Sequence, residues 1–387
     1  LLASVGVVPD VVVVPLGGDG VLPGAARGAV SGALKLVQEW LADERFESAR
    51  LVVLTRGAVP VGGVPVDLVH APVWGLVRSA QAEHPERFVL VDVDELGAGG
   101  LTAALGSAES QLVVRDGVVL VPRLVRASAG VPAPVSAGRV LVTGASGTLG
   151  GLVARRLVVE HGVRELVLLS RRPAEDLAAE LRALGAEVLV VAGDVADRAT
   201  VAEAVGEGVS AVFHVAGVVD DGVVSSLTEE RVGGVLAPKV DGAWHLHELA
   251  GDLDAFVLFS SAAATFGGPG QGSYAAANAF LDALAAHRRE LGLPGVSLGW
   301  GLWEERSELT RDLGSSDLGR MARFGVTGMA SEEALGLLDA LATGSQAHAL
   351  PMRLDTNALR ELPQGQLPSL LRALVPTGTR RTAATTE

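Results

Sequence analysis

Among its 387 residues the chain has no cysteine, which excludes disulfides and thiolate metal sites and fits a reducing, cytoplasmic setting. Aromatic residues make up only 4%, with a single tyrosine, so a tyrosine with chemistry has to be Tyr274. No apolar run approaches the ~20 residues of a membrane span, and no signal peptide precedes the first strands. No membrane partner is therefore expected. Basic residues are outnumbered, 31 Lys and Arg against 45 Asp and Glu, for a net charge of −14. That balance argues against nucleic acid as a partner. His245 and His247 are two apart on an expected helix and do not share a face, so they read as solvated residues and no metal site is expected. What is plentiful is apolar, 49% of residues against 20% charged. This is the composition of a globular chain, long enough for two domains.

The one tyrosine stands thirteen residues after Ser261 and four before Asn278. The run from Ala255 to Ser260 reads as a strand and Tyr274 to Arg289 as a helix, so Ser261 and Tyr274 can converge on one carbonyl oxygen. Asn278 lies one turn on, sharing the helical face of Tyr274. A phenol titrates near ~10, so its use as a proton donor calls for a nearby cation. Lys239, in Ala237-Pro238-Lys239-Val240, is the candidate. A lone tyrosine also serves as a packing residue with its hydroxyl tied off.

Other motifs bear on that choice. Arg139 to Val142 reads as a short strand running into Thr143-Gly144-Ala145-Ser146-Gly147-Thr148-Leu149-Gly150, with a helix predicted over Leu152 to His161. Strand, glycine turn and helix N-terminus form a phosphate cradle, although the spacing is GxxGxxG and departs from GxGxxG. The next strand, Glu165 to Leu169, ends in Ser170-Arg171-Arg172 where an acidic residue would select NAD. Arginine there favours the 2′-phosphate of NADPH. A third strand, Glu187 to Ala192, leads to Asp194 and Val195, suited to the adenine. The fourth, Ala211 to Phe213, leads to His214-Val215-Ala216-Gly217.

Residues from about Gly138 to about Ala373 resemble a short-chain dehydrogenase/reductase, and more specifically the ketoreductase domain of a modular type I polyketide synthase. The family's exchange of Lys and Asn positions is carried by Asn278 and Lys239. Further matches are Pro238 to Trp244, Gly267 to Asn278 and Trp300 to Trp303. Upstream, Trp74 to Ala80 and Arg87 to Asp94 resemble the family's structural subdomain. The resemblance implies an α/β fold of two Rossmann-like subdomains with doubly wound parallel sheets, the first degenerate and structural, the second catalytic. It implies NADPH as cofactor, an acyl carrier protein domain and neighbouring synthase domains as partners, and reduction of a 3-ketoacyl thioester. In that scheme Tyr274 protonates the alkoxide, Ser261 hydrogen-bonds the same oxygen, Lys239 lowers the phenol pKa and Asn278 holds Lys239 or a relay water. Gly299 and Trp300 approach the nicotinamide, and 303–324 forms a lid with Leu309 and Met321 as substrate contacts.

Stereochemistry is implied by the same resemblance. Val219-Asp220-Asp221 stands where D-alcohol-forming members carry Leu-Asp-Asp. No tryptophan occurs in Ala262 to Ser273, the stretch that holds Gln271, and Ala276 replaces the proline that accompanies α-epimerisation. The expected subtype is thus B1. The chain divides at Val131 to Gly138, giving a structural part over 1–135, a catalytic part over 136–375 and a linker-like tail over 376–387. The first part shows no opening glycine turn, so the chain reads as beginning part-way through that subdomain, excised from a larger polypeptide. A free-standing NADP reductase and a redox-silent epimerase or scaffold remain as alternatives. An NAD-dependent sugar epimerase would need lysine at 278.

Overall fold

Short Val- and Leu-rich runs alternating with helices give two sheets in the computed structural model, which describes residues 9–18, 20–95, 98–127, 135, 138–305, 321–322, 325–363 and 366–375. The first sheet holds β1 (Val11–Pro15), β2 (Arg50–Arg56), β3 (Phe88–Val93) and β4 (Gln111–Arg115), all parallel, closed by antiparallel β5 (Val118–Leu120). Helices α1 (Gly24–Ala42), α2 (Ala71–Glu83) and α3 (Ala98–Leu105) connect the strands. Strand order follows chain order. No reversal occurs among the described strands, so this sheet opens no ligand crevice of the kind a switch of direction creates. At the C-terminal ends of β2 to β4 the space is filled by a buried ion pair, Asp92 with Arg115 at 2.5 Å. Thr55 Oγ1 donates to Asp92 at 2.6 Å, and Trp74 Nε1 donates to Thr55 at 2.9 Å.

The second sheet is built from β6 (Arg139–Thr143), β7 (Glu165–Ser170), β8 (Glu187–Ala192), β9 (Val209–His214), β10 (Ala255–Ser261), β11 (Val296–Trp300) and a two-residue strand numbered β13 below. Its helices are α4 (Thr148–Val159), α5 (Glu175–Ala183), α6 (Arg198–Val205), α7 (Glu229–Leu249), α8 (Ala263–Phe266) and α9 (Gly272–Glu290). A short β12 (Val326–Thr327) precedes β13 (His348–Ala349) and pairs antiparallel with β14 (Arg353–Leu354). The order is β13-β11-β10-β9-β6-β7-β8, all parallel. The chain steps outward from β6 to β8, then returns to the other side of β6 at β9. That reversal is where a doubly wound sheet opens its crevice.

Several boundaries differ from the sequence expectation. Helix α4 starts at Thr148 rather than Leu152, because Gly147 serves as its N-cap and Gly150 and Gly151 sit inside the helix. Strand β10 runs one residue further, since Ser261 pairs with Trp300 across the ladder.

Helices α1 and α2 of the first sheet pack against α7 and α9 of the second, so one apolar core runs through both, from Val30 and Val37 to Ala277 and Phe280. Contact between α2 and α9 is backbone-close. A Cβ added at Gly75 would lie 2.2 Å from the Ala275 carbonyl oxygen, so no other residue fits there unshifted. Arg27 of α1 and Asp241 of α7 add an ion pair at 3.1 Å. After β14 the chain returns to the seam, where Leu359, Leu371 and Val375 gather with Leu124 and Phe266. Among the described residues no helix is long and apolar enough to cross a membrane.

Candidate active site

The crevice at the β6/β9 reversal is a cleft of about 710 Å³. Its floor is the glycine turn after β6. Gly144 has φ +68, and a Cβ there would stand 2.8 Å from the Ala216 amide nitrogen, so the turn passes close under the β9 loop only because it is glycine. Ser146, Gly147, Thr148 and Leu149 line the same wall. No side chain caps the N-terminus of α4, leaving its first amides to face an anion. The site fits the pyrophosphate of a dinucleotide on these grounds. Ser170, Arg171 and Arg172 line the rim beyond β7, both arginines exposed, and Ser170 Oγ donates to the Arg172 carbonyl at 2.7 Å. Asp194 and Val195 line the far side, and Ala216 and Gly217 the near one.

Four residues expected to touch a cofactor do not line the cleft. Thr143 and His214 are wholly buried beneath it. Thr143 Oγ1 meets His214 Nδ1 at 2.9 Å and accepts from the amides of Val215 and Ala216 at 3.2 Å each. The pair shapes the loop from below. Burial, and then the charge of Lys239, hold His214 down at about 3. Trp300 is packed with Phe259 and Trp303, ring centroids 5.4 and 5.0 Å away. A Cβ at Gly299 would strike Leu350 at 2.4 Å, so Gly299 is explained by the β11–β13 contact. The cleft also includes Gly150, Leu169, Gly193, Val218, Gly234, Ala237 and Pro238, none of which was among the expected cofactor contacts. Gly234 and Ala237 are three apart on α7, and this small-residue spacing is the signal that would have found them.

Ser261, Tyr274 and Asn278 come together as their spacing predicts. Ser261 closes β10, and α9 starts two residues ahead of Tyr274. Burial raises the Tyr274 phenol above its ordinary value, with hydrogen bonds to Ser261 and Asn278 working against the rise and the Asp221 charge adding to it. Asn278 is fully buried, donates through Nδ2 to the Tyr274 carbonyl at 2.8 Å, and leaves Oδ1 without a partner. Lys239 is buried on α7 and donates to the Phe259 carbonyl at 2.7 Å. Burial pulls its ammonium down to about 7, opposed by Asp282. Burial outweighs the hydrogen bonds to Ser261 and Asn278 at the phenol, and Lys239 Nζ is engaged by the Phe259 carbonyl in a desolvated site.

Comparison with known proteins decides the family. Residues 138–305 match the model of the KR domain, and residues 1–124 that of the Rossmann fold domain of the polyketide synthase extender module SpnB. Polyketide synthase GfsA of Streptomyces halstedii is 55% identical over 98% of this chain. A solved structure of A-type ketoreductases from a modular polyketide synthase is 39% identical, covering 89% of this chain and 77% of its own, with a TM-score of 0.78. The chain belongs to the ketoreductases of modular polyketide synthases. PlmKR1, the ketoreductase from the first module of phoslactomycin biosynthesis in Streptomyces sp. HK803, matches at 34% identity over 90% of this chain and 83% of its own, with a TM-score of 0.79. This ketoreductase spans only 5% of the length of GfsA. It is an α/β oxidoreductase that reduces a keto group with a nicotinamide cofactor.

The remaining expected residues of the ketoreductase are the Val219-Asp220-Asp221 loop, Gln271, Ala276, Met321 and Leu309. Val219 and Asp220 are half-buried and Asp221 is exposed. Asp220 is gripped by Arg231 of α7, with Nη2 at 2.6 Å, and this hydrogen bond chiefly holds its carboxyl below the usual range. Asp220 thus anchors the loop while Asp221 lies at its outer edge, accepting from Gln271 Nε2 at 3.3 Å. Ala276 is fully buried in the core shared with the first subdomain, so any influence on substrate passes through the α9 backbone rather than by contact. Met321 is half-buried, whereas Leu309 lies outside the described residues.

Proposed function

We propose that this ketoreductase uses NADPH to convert the 3-keto group of an acyl-carrier-bound polyketide into the D-3-hydroxyacyl thioester, leaving the α-substituent as supplied. The observation that carries the reading is the convergence of Ser261, Tyr274 and Asn278 beside a cleft whose rim bears Arg171. When bound, the nicotinamide supplies the hydride that adds to the β-carbon. Tyr274 Oη gives its proton to the carbonyl oxygen, a step worth about 10²–10⁴-fold, and Ser261 Oγ donates to the same atom. A phenol raised by burial keeps that proton through neutral pH. After each turnover the ammonium of buried Lys239, directly or through a water, returns a proton to Tyr274, and the unpartnered Oδ1 of Asn278 accepts a hydrogen bond from that ammonium or water. In this scheme residues 1–135 support, 136–375 catalyse and 376–387 link onward. The setting is cytoplasmic, within a larger synthase polypeptide and beside its carrier domain.

D-configuration, subtype B1, is supported by Val219-Asp220-Asp221 and by the absence of tryptophan from Ala262 to Ser273. Ala276 supports retention of the α-centre. Tyr274→Phe is the test. Reduction of a short 2-methyl-3-keto thioester falls at least about 10²-fold, while the NADPH dissociation constant from fluorescence titration stays near that of the unaltered chain. Retention of a tenth of the activity would remove Tyr274 as the acid. Chiral chromatography of the alcohol reads the configuration, and an L-alcohol would overturn the subtype.

A further inference from the structure

The C-terminal end of α2 reaches from the first subdomain to the loop after β9 and the loop before α9. Its last residue is Glu83, and a carboxylate there meets the negative end of the helix dipole. That placement is unfavourable unless something else holds it. Both oxygens are engaged across the seam. Val224 N donates to Oε2 at 2.8 Å, and Gly270 N donates to Oε1 at 2.8 Å. Val224 opens the turn that follows Val219-Asp220-Asp221, and Gly270 precedes Gln271, the N-cap of the helix that carries Tyr274. The two loops also grip each other. Gly222 N donates to the Gly270 carbonyl at 2.7 Å, and Ser273 Oγ to the Asp220 carbonyl at 3.3 Å. Gln38 of α1 adds a second hold, donating to the carbonyls of Val224 and Leu227 at 2.9 Å each.

We infer that Glu83 is a positioning residue for stereocontrol. By holding the amides of Val224 and Gly270 in one carboxylate it fixes the width of the mouth between the Asp220-Asp221 loop and Gln271. The noncatalytic subdomain thereby sets the selectivity of the catalytic one. This rests on the reading above, in which the thioester arm reaches Tyr274 through that mouth. A carboxylate accepts both amides with charge-assisted bonds. Glutamine keeps the shape but turns one acceptor into a donor facing an N–H. Selectivity is a difference between two approach modes, so loosening the mouth erodes it even when the chemistry at Tyr274 is untouched.

The test compares the unaltered full chain with Glu83→Gln and Gln38→Leu, using NADPH and a short 2-methyl-3-keto thioester. In Glu83→Gln the ratio of the two alcohols is expected to fall about fivefold or more and KM to rise about threefold. Both kcat and NADPH affinity stay within about twofold, because neither Tyr274 nor the glycine cradle is touched. Amide exchange at Gly270, read without substrate, speeds up about tenfold. A folded Glu83→Gln with the native alcohol ratio and KM overturns the inference and leaves the Tyr274 assignment standing. If the unaltered chain yields no alcohol, the reading of the site falls and the inference with it. Should Glu83→Gln fail to fold, Gln38→Leu decides, since a native alcohol ratio in that variant overturns the clamp.

Discussion

At the scale of single residues, charge and burial set the behaviour. Arg171 stands exposed at the rim beyond β7, and a guanidinium there can grip a 2′-phosphate in two-pronged fashion. Arg171→Ala is expected to lower kcat/KM for NADPH about tenfold or more while leaving that for NADH nearly unchanged. An unaltered ratio would show that the phosphate is read elsewhere. His214 and Lys239 are bases whose folded pKa values lie well below their ordinary ones, at about 3 and about 7. The unfolded chain therefore binds protons that the folded chain refuses, so stability rises with pH through each window. Lys239 contributes between about 7 and its ordinary 10.5, and His214 loses stability as pH falls from 6.5 toward about 3. The urea midpoint of the unaltered chain should climb between pH 7 and 9, and Lys239→Met should flatten that climb. Equal slopes would refute the assignment.

Among the elements, α2 does most to join the two halves. Its Gly75 touches the α9 backbone at Ala275, and its Ser79 Oγ donates to the Gly268 carbonyl at 2.8 Å. Arg78 Nη1 donates to the Ala264 carbonyl at 2.7 Å. These three residues, within little more than one turn of the helix, thus brace the chain from Ala264 to Ala275. Gly75→Ala forces helices apart that meet backbone to backbone, an overpacking that costs about 1–3 kcal/mol. The expected result is a lower melting temperature together with a loss of kcat, because the shift is transmitted to Tyr274. A melting temperature that matched the unaltered chain would mean the helices can separate freely.

For the whole molecule, the shared core makes the first subdomain a folding partner. Ala276, Ala277 and Phe280 of α9 are buried in the same cluster as Val73 and Leu76 of α2. Residues 136–375 produced alone would expose that apolar face. They are expected to aggregate or lack activity, and co-production with residues 1–135 should restore soluble, reducing protein. Full activity from the isolated piece would show that the seam contributes nothing to the site.

Much of this molecule was legible in its residues. Parallel strands follow from continuous apolar runs and the cradle from glycine spacing. The approach of Ser261 to Tyr274 follows from a strand end and a helix start separated by a short loop. These are local rules, set by backbone sterics and hydrogen bonding over a few residues. Tertiary structure decided the rest. Thr143 and His214 carry the right motif positions yet lie beneath the cleft, because strand pairing of β6 with β9 seals them in. Lys239 is brought near Tyr274's neighbourhood but bonds the Phe259 carbonyl, a choice made by burial. Gly75 and Glu83 act on residues far away in the chain, and no periodicity records which helix a glycine must touch or which loop a carboxylate will hold. Such contacts exist only once two subdomains close over a common core, where close approach and desolvation, rather than local propensity, assign each side chain its partner.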